Sequence, residues 1–181
     1  MAQPATRPAP LKTPLEAEES LDLALIELLF FAYRDFTSDP DQILDRFGFG
    51  RAHHRVLHFV NRRPGLTVAE LLDVLRITKQ SLARVLKQLI DSGHVVQVQG
   101  PRDRRQRELY PTAKGRELAL ALARPQSRRI AQALEGLDGD GRRTVERFLR
   151  DMVDEGWRAR LNEIGGEPAR AANGDGRDGR S

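Results

Sequence analysis

The 181 residues contain no cysteine. Disulfides, thiolate metal ligands and peroxide sensing through a thiol are thereby excluded. Long hydrophobic runs are missing too. The most apolar stretch, Leu21 to Phe31, is too short to span a bilayer and is interrupted by Asp22 and Glu27. Met1 to Pro14 is rich in Pro, Ala and Thr without an apolar run, which is not the pattern of a signal peptide. The enzyme signatures are absent as well: no nucleophile elbow, no glycine-rich phosphate loop, and no paired carboxylates outside solvated helix faces. These absences lead us to expect a cytoplasmic protein that is not an enzyme, with no membrane partner, no cofactor and no metal.

Charge is present, but unevenly spread. The net charge is +4. Met1 to Asp45 carries three Lys/Arg against nine Asp/Glu, a net of −6. Arg46 to Arg116 carries fifteen against five, a net of +10, and Glu117 to Ser181 carries twelve of each. The excess positive charge therefore sits on one segment. Neutralising phosphates requires such a surface, because each contact releases condensed counterions.

That segment also holds the most patterned stretch, Leu66 to Gly115. Leu66 to Leu75 reads as a short amphipathic helix, with Thr67 and Glu70 spaced as a capping box. Thr78 to Ser92 reads as a second helix. Its apolar face is Leu82, Val85, Leu86, Leu89 and Ile90, and Gly93 stops it. The opposite face carries Lys79, Gln80, Ser81, Arg84, Lys87 and Gln88, rich in donors and without a carboxylate. Two extended runs, His94 to Gln99 and Glu108 to Pro111, then flank a tip containing Arg102, Asp103, Arg104, Arg105 and Arg107. Helix, turn, helix and basic hairpin is the order of a winged helix-turn-helix. Thr78 caps this DNA-binding helix, and Lys79, Gln80 and Ser81 of its first turn, with Arg84, are the expected readers of base edges. Lys87 and Gln88 are expected to be solvated or to contact phosphate. Arginines held at a hairpin tip suit the narrow minor groove, and Asp103 can fix the tip's shape.

The remaining elements are helical. Ser20 can cap a helix over Leu21 to Phe36, ending before Asp39-Pro40. Apolar residues cover most of its circumference, so it is expected to pack on two surfaces, one of them a second subunit. Asp41 to Gly50 reads as a short helical turn. A helix from about Arg51 to Arg62 follows, with Val56, Leu57, Phe59 and Val60 facing the core. After the wing, a helix from Thr112 is expected to kink or break at Pro125. A last helix, about Arg142 to Leu161, carries Val145, Phe148, Leu149, Met152, Val153 and Trp157 at helical spacing. The pairing surface is expected from Leu21, Leu25 and Leu28 with Phe148, Met152 and Trp157.

This order of elements, with Asp103-Arg104-Arg105 and Leu109-Tyr110-Pro111-Thr112-Ala113-Lys114-Gly115, resembles the MarR family of transcriptional regulators. In that family the wing reads Asp-x-Arg followed by Leu-x-Leu-Thr-x-x-Gly. Here Pro111 replaces the second Leu, a departure expected to shorten the return strand. Leu29 to Arg34 and Gly50 to Arg55 look most like the PetP-like branch. The resemblance covers about Ser20 to Leu161. It implies a mainly α fold with a small β-wing, and a homodimer joined by its first and last helices. It further implies a pseudo-palindromic double-stranded DNA target, read by helix 78–92 and wing 94–111. A small-molecule effector acting between the dimer helices and the winged domain is implied for many members. The expected organisation is a disordered tail at 1–18, a MarR-type domain at 19–163 and a disordered tail at 164–181. Within the domain, 46–116 is the winged core, and 20–37 and 115–162 are the dimerisation helices.

Two other readings remain beside this one. His54 and His58 share a helix face at i, i+4, which would suit a metal-responsive regulator if Glu27 or His94 supplied a third ligand. A winged-helix module that binds protein is the other. It needs no basic recognition face, and the +10 segment argues against it.

Overall fold

The computed structural model describes residues 21–100 and 106–158. The chain divides into two compact units, Met1–Asp35 and Phe36–Ser181. The expected tails and the wing-tip residues Arg102, Asp103, Arg104 and Arg105 lie outside the described residues.

Helix α1 runs Leu23–Asp45 and α2 Arg51–Arg62; strand β1 is Leu66–Thr67, followed by α3, Val68–Leu75, and α4, Lys79–Asp91. Strands β2, Val95–Gln99, and β3, Arg107–Pro111, lead into α5, Ala113–Leu134, and α6, Gly141–Asp151. The fold is mainly helical with one three-stranded antiparallel sheet in the order β1-β3-β2. In the first unit, Asp22 Oδ1 accepts the Leu25 backbone N–H at 3.0 Å, so Asp22 caps α1. Its apolar side chains Leu25, Ile26, Leu28, Phe30 and Phe31 are exposed.

The core of the second unit is a single cluster. It joins Leu44 of α1, Val56, Leu57 and Val60 of α2, Leu71 and Leu75 of α3, and Leu82, Val85, Leu86 and Leu89 of α4. Val95, Leu109, Leu118 and Leu122 complete it from the sheet and α5. Burying each such side chain contributes roughly 1.5–3 kcal/mol. The ion pairs are exposed, and pairs of that kind are worth at most about 1 kcal/mol each. The hydrophobic cluster, not charge pairing, fixes the second unit.

Several elements differ from expectation. The helix expected to end at Phe36 and the turn expected at Asp41 to Gly50 are largely one helix, since α1 continues through Pro40 to Asp45. A proline inside a helix removes the donor to the carbonyl four residues back. That carbonyl, Phe36 O, instead accepts from Gln126 Nε2 of α5 at 3.3 Å. Pro40 is buried, so packing and a substitute donor offset the lost bond. Pro125 likewise lies within an unbroken α5. Leu66, expected in a helix, is extended and pairs with Leu109. Pro111 does not shorten the return strand: it is the last residue of β3, opposite Val95, where a missing N–H costs little.

The last helix is shorter than expected. α6 stops at Asp151, and residues 155–158 form a separate helical turn. Arg158 explains the break, donating from Nε to Val153 O at 2.8 Å and from Nη2 to Asp151 O at 2.7 Å. Trp157 therefore stands on that turn, not on α6. No residue of α6 is buried; Phe148, Leu149 and Met152 stay exposed.

Candidate nucleic-acid interface

The candidate interface is built on α4. Thr78 has extended backbone angles and its side chain accepts from the Ser81 N–H at 3.1 Å, while Thr78 Oγ1 donates to Ser81 Oγ at 3.0 Å. At the other end Gly93, with φ 74°, closes a Schellman motif: Gly93 N–H to Ile90 O at 2.9 Å and His94 N–H to Leu89 O at 2.8 Å. Only a residue without Cβ takes that conformation without strain. Lys114 Nζ donates to Ser92 O at 2.8 Å, adding a cation where the helix dipole is negative.

The burial of α4 sorts its predicted residues. Leu82, Val85, Leu86 and Leu89 face the core, and Ile90 is half-buried. Lys79, Gln80 and Arg84 are exposed, and none has a hydrogen bond to another side chain among the described residues. Ser81 is half-buried and engaged with Thr78. The face is not free of carboxylate throughout: Lys87 pairs with Asp91 one turn on. Gln88 is tied inward, its Oε1 2.7 Å from His53 Nε2. His53 Nδ1 accepts the Gly50 N–H at 3.1 Å, so Nε2 carries the proton and donates to Gln88. The exposed donors thus concentrate at the N-terminal turn of α4.

The wing stands beside it. β2 and β3 pair from Val95–Pro111 to Gln99–Arg107. The tip closes at its base where Gly100 N–H donates to Gln106 O at 3.0 Å. Arg107 is exposed at the start of β3, and the four other predicted wing residues fall in the undescribed tip.

Thr112 and Gly115 join wing to α5. Thr112 caps α5, accepting from the Gly115 N–H at 3.0 Å, and its hydroxyl donates to Gly93 O at 2.7 Å. A Cβ on Gly115 would lie 1.9 Å from His94 O. The Thr-x-x-Gly spacing is therefore a packing requirement where α5 crosses the end of α4.

Sequence reasoning missed the supports behind this face. Arg55 Nη2 donates to Leu75 O at 2.5 Å, closing the end of α3. His53 stacks on Phe49 with centroids 4.6 Å apart, and His94 meets Phe49 edge-on at 5.3 Å. A polar residue on a helix carries no sequence signal for which carbonyl or ring it will meet. His54 and His58 do share a face of α2, but His94 is buried in this aromatic cluster. No group of three or more His, Cys, Asp or Glu among the described residues could hold a metal.

Residues 47–106 match the MarR family. The transcriptional regulator PetP of Rhodobacter capsulatus is 48% identical over 133 residues, covering 74% of this chain and 80% of that protein. The chain belongs to the MarR family. It is a MarR-type transcriptional regulator, and the resemblance to the PetP-like branch is borne out. Among solved structures, a MarR protein from Peptoclostridium difficile has a TM-score of 0.63 at 20% identity, covering 88% of this chain and 98% of that one. A MarR-family regulator from Listeria monocytogenes, complexed with a 26-mer DNA, has a TM-score of 0.62 at 20% identity, covering 79% and 95%. At those identities the likeness is one of fold. Among the described residues no helix is long and apolar enough to cross a membrane.

Proposed function

We propose that this MarR-family protein binds double-stranded DNA as a homodimer and regulates transcription in the cytoplasm without catalytic activity. Each subunit reads one half of a pseudo-palindromic operator. The carrying observation is the N-terminal turn of α4, where Lys79, Gln80 and Arg84 are exposed and unengaged by other side chains among the described residues. That turn is the part of a recognition helix that meets base edges in the major groove. Thr78 and Ser81 shape it, and Lys87 sits farther along toward the phosphates. The tip residues Arg102, Asp103, Arg104 and Arg105, with Arg107, serve the adjacent minor groove. The Listeria regulator's structure with DNA supports the same use of the fold.

Homodimerisation is supported by apolar side chains that each unit leaves in water. Leu21, Leu25 and Leu28 are 43%, 47% and 62% exposed, and Phe148 and Met152 are 45% and 54% exposed. Trp157, the remaining member of that expected set, is half-buried and lies against Arg76. A small-molecule effector has a crevice available: about 350 Å³ lined by Ile43, Arg46, Phe47, His94, Lys114 and Leu118. Its size suits a small ligand, and it lies directly behind the C-terminal end of α4.

Arg84→Ala tests the reading of α4. It should weaken operator binding by about 1–3 kcal/mol with little change on random DNA. An equal loss on both would make Arg84 a phosphate contact and remove it from base recognition.

A further inference from the structure

Arg76 is the non-glycine residue with positive φ among the described residues, at φ 49° and ψ 47°. It is the C-cap of α3 and leads through Ile77 to Thr78, the cap of α4. Left-handed backbone disfavours a residue with a Cβ, and glycine or asparagine is the usual occupant. For the turn alone, arginine is a worse choice than glycine. Its contribution is the side chain. The guanidinium donates from Nη1 to Asp154 Oδ2 at 3.1 Å and lies 5.4 Å from the centroid of the Trp157 ring.

Both partners belong to the segment after α6. Asp154 O accepts from the Trp157 N–H at 2.9 Å and the Arg158 N–H at 3.2 Å, which sets the helical turn. Arg158 folds back on Asp151 O and Val153 O, so the turn is tied to the end of α6. The linker that orients α4 and the segment that follows α6 are thus clasped by one arginine.

We propose that Arg76 is a positioning residue for operator recognition: its clasp on Asp154 and Trp157 braces the N-terminal turn of α4 against the segment after α6. The inference rests on the reading of α4 as the recognition helix. The ion pair is exposed, 64% at Arg76 and 74% at Asp154, so the effect is modest and the fold does not depend on it.

Trp157 is the single tryptophan of the chain, so its emission reports the clasp directly. The experiment uses the full chain and its Arg76→Gly, Arg76→Lys and Asp154→Asn variants. Trp157 emission, its quenching by acrylamide, and affinity for operator and random DNA at two salt concentrations are measured. In Arg76→Gly the emission should shift to the red and quenching should rise, with no loss of thermal stability. Operator affinity should fall about two- to five-fold while random-DNA affinity holds. Asp154→Asn should move in the same direction, although it removes a negative charge, and Arg76→Lys should recover part of the loss.

Unchanged emission and quenching in Arg76→Gly would overturn the clasp. So would full operator affinity in Asp154→Asn alongside an Arg76→Gly loss equal on both DNAs with a shallower salt slope; Arg76 would then touch phosphate directly. If the wild-type protein selects no operator, the recognition reading fails and the positioning role with it, while the fluorescence arm still decides the contact.

Discussion

At the scale of single residues, His94 and Gly115 show how tightly the junction behind α4 is specified. Adding a Cβ at Gly115 brings it against backbone oxygen, which cannot rotate away. Gly115→Ala should therefore cost about 1–3 kcal/mol in a denaturant titration, the range of overpacked sites; an unchanged midpoint would contradict the crossing geometry. His94 is buried, and burial followed by the Lys114 charge pushes its imidazole below its ordinary value of 6.5. Burial followed by His58 does the same at His54. Where the folded state lowers the pKa of a base, the unfolded chain binds more protons. The associated stability is then complete above the unfolded value and drains as pH falls below it. Melting temperature should fall between about pH 7 and pH 5, and less steeply in His94→Gln. A flat profile would contradict this.

At the scale of elements, legibility followed locality. Helix α4 was readable to within a residue because its cap, its apolar spacing and Gly93 are all signals within its own stretch. The Thr67–Glu70 capping box was readable for the same reason and is present, Thr67 N–H donating to Glu70 Oε2 at 2.8 Å. α1 was not. Pro40 reads as a stop until Gln126, far along the chain, supplies the donor that Phe36 O loses. The break after Asp151 was equally hidden, since it depends on where the Arg158 side chain turns. α6 leaves its apolar residues exposed, with none buried, which is an unfinished surface for a helix of that pattern. Phe148→Glu with Leu149→Glu should therefore convert a dimer to a monomer in sedimentation equilibrium. An unchanged mass would remove α6 from the pairing surface.

At the scale of the whole molecule, charge and recognition coincide. The +10 of Arg46 to Arg116 lies on the winged core, while Met1 to Asp45 is acidic. A winged core of that charge suits an anionic duplex and makes long-range attraction sensitive to salt. Two paired subunits would set their α4 helices about one DNA turn apart, roughly 34 Å. The most direct test is to select genomic fragments with the purified protein and measure binding to the recovered site at two salt concentrations. The account predicts a pseudo-palindrome with half-sites about ten base pairs apart, bound far more tightly than random DNA. Weak binding without a consensus, falling steeply with salt, would contradict sequence reading by α4.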